Sequence, residues 1–332
     1  MKKVICFGEA LIDFLNTANE VHDGLNIPVF NQFPGGAPAN AAVAVAKLGG
    51  SAFFAGQVGD DTFGHYLKDA LSRYGVNTKF TLFHPSAKTA LAFVSLDTQG
   101  ERSFSFCRSA SADLLVNAEQ FPSDLCETQD ILHLCSNTLT TNEIANTTFS
   151  LASVALQNNA IVSVDVNLRH NLWDNNKADK YSVNQLLSYA KVIKFSKEEL
   201  DYLSNKSERE YLQQLFAQNR QCQLILVTDG ANPVRYFSRD YAGQVDVPPT
   251  TVSDTTCGGD SFIGGFLFCL SSIHNTKGID LDEDSLQRFL KFSIACGAHT
   301  VAKQGAFPAL PKLADVSKHF PFTDKSVCKE PQ

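Results

Sequence analysis

Two stretches of this sequence combine residue types and spacings that could do chemistry. In "DTTCGGDSF", residues 254–262, a glycine pair separates Cys257 from Asp260, and a long apolar run follows that reads as a helix. The backbone N–H groups of Cys257, Gly258, Gly259 and Asp260 open that helix, where no intrahelical carbonyl is available to them. With the positive end of the helix dipole, they form a concavity suited to an anion. The carboxylate of Asp260 sits at the same place, where the dipole favours ionisation, so it is expected to be a base at neutral pH. An N-terminal Asp that merely satisfies orphan amides fits the same residues equally well.

The second stretch is "FPGGAPANAAVAVAKLGG", residues 33–50. Gly35 and Gly36 precede Pro38 and an alanine-rich helix that Gly49 can end, which is ordinary helix punctuation. A glycine pair before a helix also brings backbone N–H groups close to a ligand, and the Asn40 amide can hold a hydroxyl from two sides. Plain loop and ligand contact both remain open on these residues.

Sites of this kind need rigid elements behind them. Short β-rich runs recur: "KVICFG", "SAFFAGQVG", "TALAFVSLD", "RSFSFC", "DILHLCS", "AIVSVDVN", "AKVIKFS", "QLILVTDG" and "VRYFS". Several are apolar almost throughout, as strands covered on both faces are. Helical patterns such as "PANAAVAVAKLGG", "TFGHYLKDALSRYG" and "TNEIANTTFSLASVALQNN" lie between them. The alternation predicts an α/β fold with a mostly parallel sheet. Two segments break the rhythm. Residues 16–33 are polar with strand-like fragments, and residues 88–107 read as a hairpin about Gly100. Both could pair into a small sheet that covers a cleft, or could extend the main one.

Bulk properties narrow the function. A net charge of −7 and the lack of any basic run argue against a nucleic-acid partner. Glu9 and Asp13 interrupt the apolar start before a signal segment could form, so "KVICFG" is expected to be a first strand. No window reaches the roughly 18 uninterrupted apolar residues that a membrane span needs. The nine cysteines are odd in number and never spaced C-x-x-C, a pattern that suits reduced thiols in the cytoplasm. Neither G-x-x-x-x-G-K-[ST] nor G-x-G-x-x-G occurs, which disfavours a P-loop ATPase and a standard dinucleotide dehydrogenase. His133 and His299, in apolar runs, read as core or pocket-wall residues, and Trp173 as packing.

"GGAPANAAVAVAKLGGSAFFAGQVG" and "DTTCGGDSFIGGF" resemble the two signatures of the ribokinase-like (PfkB) carbohydrate kinases. The similarity extends over nearly the whole chain through "GEALID", "GDDTFGHYL", "SAD", "DVNLRHNLW", "KFSKEEL", "LVTDGA" and "KQGAFPALP". "TALAFVSLDTQGERSFSF", "NLRHNLW" and "GAFPALP" are most similar to the fructokinases of that family.

The resemblance implies a three-layer α/β/α domain over residues 1–332, with a small β-sheet lid from about 14–34 and 86–109. It implies transfer of the ATP γ-phosphoryl group to a hydroxyl of fructose, with Mg²⁺ and possible potassium stimulation. Aminoimidazole riboside and 2-keto-3-deoxygluconate are alternative acceptors within the family, and a sugar sensor without catalysis is an alternative from another class. By position, Asp260 matches the catalytic aspartate, and Cys257, Gly258 and Gly259 match the anion hole. Asp13, Gly35, Gly36 and Asn40 match sugar-binding residues, and Arg169 an arginine aimed at substrate or phosphoryl group. Phe104 and Phe106 alternate on a lid strand, so one face could cover the sugar or pack in the core. Thr228 and Gly230 match the nucleotide turn. Ser196 and Glu199 stand at the family's N-x-x-E position near Mg²⁺, with serine replacing asparagine, and Asp254 and Thr256 match a monovalent-cation site. Cysteine replaces the first glycine of the anion hole. Its side chain is expected to be tolerated without positive φ, and its alkylation to impair ATP use. Open lid edges invite a homodimer.

Overall fold

The first strand, β1 (Lys3–Phe7), sends Val4 and Cys6 to one hydrophobic core and Ile5 and Phe7 to another. Apolar residues on both faces require cover on both faces. In the computed structural model, which describes residues 1–96, 102–205, 207–273, 279 and 281–320 except the side chains of 95–96 and 102–104, helices supply that cover.

On β1 the parallel neighbours are β4 (Ser51–Gly59) and β8 (Ile131–Cys135). Beyond β4 lies β5 (Asn77–His84); beyond β8 lie β9 (Ile161–Asp165), β10 (Val192–Ser196) and β11 (Leu224–Asp229) in turn, all parallel. Antiparallel β12 (Asn232–Ser238) and β13 (Ala242–Val245) complete a nine-stranded sheet. Strand order runs outward from β1 on one side and from β8 on the other. It therefore reverses between β1 and β8, the crevice where open α/β sheets place ligands.

Helices α1 (Ala37–Lys47), α2 (Thr62–Arg73), α7 (Gly258–Ser271) and α8 (Glu283–Val301) pack on the face of Val4 and Cys6. The opposite face carries α3 (Asn142–Gln157), α4 (Lys180–Leu187), α5 (Lys197–Ser204) and α6 (Glu208–Gln218). Lying between α1 and α8, α7 is buried at every residue from Asp260 to Ser271. That is why its sequence is apolar all round.

A second, four-stranded sheet has the order β3-β2-β6-β7, from β2 (Leu11–His22), β3 (Leu25–Gly35), β6 (Leu91–Leu96) and β7 (Arg102–Cys107). It is separate from the central sheet rather than an extension of it. The strand-like fragments of residues 16–33 belong to two long strands, paired from Leu11↔Gly35 to His22↔Leu25. Asp23 and Gly24 turn the hairpin with φ of 50° and 80°. The dipeptide Asp-Gly is the local signal for such a turn. Strands β5 and β13 had no counterpart among the expected runs. The expected turn at Gly100 and the tail from residue 321 lie outside the described residues.

Candidate active site

Glu9 follows β1 and Asn137 follows β8, so both stand at the crevice. Asn137 Nδ2 donates to Glu9 Oε1 at 2.6 Å, joining the two strand ends. Glu9 Oε1 also accepts from Ala37 N, the first amide of α1, at 3.1 Å. Gly36 caps that helix at φ 105°, and a Cβ there would fall 2.5 Å from the Glu9 carbonyl oxygen, so only glycine allows the approach. Gly35 leaves room of another kind: a Cβ would fall 2.0 Å from Asp13 Oδ2.

Around these residues is a polar cavity, lined also by Asn40, Phe106, Arg108, Arg169, Thr256 and Asp260. From the first turn of α1, Asn40 Nδ2 donates to Asp260 Oδ2 at 2.8 Å, tying the starts of α1 and α7 together. Arg108 is buried; its Nε donates to Asp113 Oδ2 at 2.7 Å and its Nη1 to the Asn137 carbonyl at 3.0 Å. Arg169 is exposed at the cavity wall, on a loop where it and Asn167 both take positive φ, 44° and 33°. Glu9 Oε2, Asn40 Oδ1, Asn137 Oδ1 and Arg108 Nη2 are buried without a hydrogen-bond partner among the described residues. Each such atom costs about 1–3 kcal/mol if left unpaired. Three acceptors and one donor on residues that line one cavity suit a small polyhydroxylated ligand.

Burial dominates the acid–base properties here. It pushes the carboxyls of Glu9 and Asp13 up to about 7 and that of Asp260 up to about 6. The Asn40 hydrogen bond and the charges of Arg169 and Lys194 pull Asp260 back down, while Asp165 pushes it up. The ionisation expected from the helix dipole is thus outweighed by desolvation. Asp260 is still mostly ionised at pH 7, because its value lies below 7.

A second cavity, ≈ 280 Å³, opens on the other side of the α7 start. Its walls are mostly apolar: Val234, Val247, Pro248, Val252, Phe262, Ile294, Ala298 and Val301. Thr228 and Gly230 lie at its edge, and Gly258 and Gly259 close one end. No side chain caps α7. Cys257, its N-cap, has φ −116°, so cysteine brings no left-handed strain. The thiol, however, is buried, and its pKa is raised well above the usual thiol range by burial and then by Asp260, Asp13 and Asp254. That overturns the expectation that alkylation would report on ATP use, since a buried neutral thiol is a poor nucleophile.

Ser196 and Glu199 line neither cavity. They form a capping box on α5, in which Glu199 Oε2 accepts from Ser196 N at 2.7 Å and Oε1 from Leu168 N at 3.2 Å. Asp254 is buried; Oδ1 accepts from Thr256 N at 2.8 Å and Oδ2 from Gly305 N at 3.1 Å, in a turn that leads into α7. Phe104 lies on β7, but its side chain is outside the described residues; Phe106, two positions on, lines the polar cavity.

The pattern of the pfkB family carbohydrate kinases matches residues 1–313. The chain belongs to that family. The "Probable fructokinase-6, chloroplastic" of Arabidopsis thaliana is 40% identical over 315 residues, 93% of this chain and 79% of that protein. A crystal structure of fructokinase with bound ATP from Xylella fastidiosa superposes with a TM-score of 0.86 at 41% identity, covering 96% of this chain and 97% of that one. A double mutant of the fructokinase from Vibrio cholerae O395, solved with fructose, ADP and potassium ion bound, reaches a TM-score of 0.84 at 31% identity, with 96% and 98% covered.

In this pfkB carbohydrate kinase the structure gathers Asp13, Gly36, Asn40, Arg169, Thr256 and Asp260 around one cavity and Thr228, Gly230, Gly258 and Gly259 around the other. Glu9, Arg108 and Asn137 line the polar cavity too, and none of them stands among the site residues expected from the sequence. Each stands directly after, or within two residues of, an apolar or alternating strand, which was the available signal. Both histidines carry a buried Nε2 without a hydrogen-bond partner among the described residues, so they are not the fully satisfied core groups expected, and neither lines the two cavities. His133 is fully buried, with burial holding its pKa down to about 3, and the Trp173 indole donates to the Leu168 carbonyl at 2.7 Å. Among the described residues, no helix is long and apolar enough to cross a membrane.

Proposed function

We propose that the protein transfers the γ-phosphoryl group of ATP to a hydroxyl of fructose, giving fructose 6-phosphate. One observation carries the reading: the start of α7 is shared by two cavities, with Asp260 facing the polar one and Gly258 and Gly259 closing the apolar one. The apolar slot suits an adenine base, with Thr228 and Gly230 at its edge. The polar cavity, with its unpaired acceptors, suits a neutral sugar held by Asp13, Asn40, Glu9 and Asn137.

Asp260 takes the proton of the attacking hydroxyl. As the new O–P bond forms, the bond from the γ-phosphorus to the bridging oxygen breaks and ADP departs. The amides at the start of α7, which no side chain caps, offset charge on the phosphoryl oxygens together with Arg169 at the cavity wall. A bound Mg²⁺ would supply further neutralisation of the phosphates. Both Glu199 oxygens already accept backbone N–H bonds, so its help to a metal is indirect. The Asp254–Thr256 turn is the proposed place for potassium, and equal rates in potassium and tetramethylammonium buffers would remove that assignment.

The small sheet is proposed to act as a lid and as a contact between two copies. Exposed Val21, Leu25 and Ile27 at its far end support such pairing. Free cysteines throughout the described residues suit the cytoplasm. The deciding experiment is ADP release with a panel of sugars. Fructose is expected to give the highest kcat/KM; preference for a ribonucleoside or a keto-acid would change the substrate, and sugar binding without ATP consumption would favour a sensor.

A further inference from the structure

Beneath the start of α7, on β10, lies a lysine that the reaction as described does not use. Lys194 is buried, and its Nζ lies 3.0 and 3.1 Å from the two carboxylate oxygens of Asp165, itself buried at the end of β9. On the other side, a Cβ built at Gly259 would fall 3.3 Å from the same Nζ. The ammonium therefore lies close to the Gly259 backbone at the start of α7.

A buried ion pair is a poor device for stability alone, because desolvating two charges costs about as much as their attraction returns. This pair is also not isolated. Glu199 on α5 and Asp260 on α7 act electrostatically on Lys194 along with Asp165. A further titratable neighbour, His133 on β8, is kept neutral by burial and by Lys194 itself. One cation thus acts on three carboxyls, of which Asp260 lines the polar cavity. In a site from which water is excluded, a fixed charge acts over several ångströms with little screening.

We propose that Lys194 is an electrostatic positioning residue: through the Gly258–Gly259 backbone its charge stabilises the phosphoryl group in transit and holds Asp260 as a carboxylate. The proposal rests on the reading of α7 as the phosphoryl-transfer site. It also accounts for Gly259, since any side chain there would press on the ammonium.

The test compares Lys194→Met, Asp165→Asn and the double variant Lys194→Met/Asp165→Asn in the full-length enzyme. Lys194→Met is expected to lower kcat by about 10²-fold, the scale of losing one transition-state donor. Fructose affinity should stay within a factor of ~3, and the acid limb of the kcat profile should move to higher pH, because Asp260 loses a favourable cation. Asp165→Asn, which keeps the ammonium, should lose less. The double variant should recover thermal stability but not kcat, and it remains informative if Lys194→Met alone fails to fold. Recovery of kcat in the double variant to within ~3-fold of wild type would show that Lys194 only neutralises Asp165, and would overturn the proposal. A wild type that consumes no ATP with any sugar would instead sink the functional reading on which it rests.

Discussion

Helices α1 and α7 both start beside a glycine pair, but their first amides meet different fates. At α1 the Ala37 N–H donates to the Glu9 carboxyl at 3.1 Å, whereas at α7 the Gly258 N–H makes only a long 3.4 Å bond to the Thr255 carbonyl and no acidic side chain fills the helix end. A carboxylate belonging to the protein occupies the first helix end, which leaves it unfit for a phosphate. It also places Glu9, Asn40 and Asn137 where neutral hydroxyls can bind. The second end, free of an internal acid, remains available for an anion. The same local motif thus serves two chemistries, and the difference lies in whether an internal acid fills the cradle.

The strongest way to break this comparison is Asp260→Asn. Loss of the base is expected to cut turnover by about 10²–10⁴-fold while fructose still binds, because the Asn40 contact can persist. Isothermal titration with fructose and ADP release on one preparation would check it, and retained turnover would end the assignment of Asp260.

Glu9→Gln probes the other helix end. Removing that charge is expected to raise KM for the sugar by about 10-fold, near 1.4 kcal/mol, and to leave KM for ATP alone. The same variant tests the acid–base balance. Glu9, raised from 4.5 to about 7 by burial, holds its proton more tightly in the folded than in the unfolded state. Its contribution to stability is therefore complete below the unfolded value and is lost as pH rises through about 7. Melting temperatures of the ligand-free protein should fall as pH is raised from about 5 to about 8, and Glu9→Gln should flatten that fall. An unchanged slope would mean that Glu9 is not the group titrating.

The smallest effect is expected at Cys257. With its φ at −116° and its thiol buried, Cys257→Gly should change kcat by less than ~3-fold, and iodoacetamide should not inactivate the folded enzyme. Rapid inactivation, traced to this thiol by mass spectrometry, would show that the α7 start opens enough to expose Cys257 in solution.

Strands β1, β4 and β7 were legible because their runs are apolar or alternating over their whole length. The long hairpin of β2 and β3 was read only as fragments, because much of its length is exposed and polar residues blur its period; Asp23-Gly24 was its clearest mark. Glu9 and Asn137 were invisible as partners, being brought together only when β1 and β8 pair in parallel. Lys194 looked like one polar residue in a strand, and its burial against Asp165 depends on the register of β9 with β10.

By itself, the sequence determined the alternation of strands and helices, the glycine pairs at two helix starts and the carboxylate of Asp260, since these follow from local period, turn chemistry and residue type. Only the tertiary structure decided how acidic Asp260 is, which helix end stays open, and which polar atoms wait unpaired around the cavity. Those properties depend on desolvation and on partners brought together from distant parts of the chain, and neither is encoded in any single stretch of it.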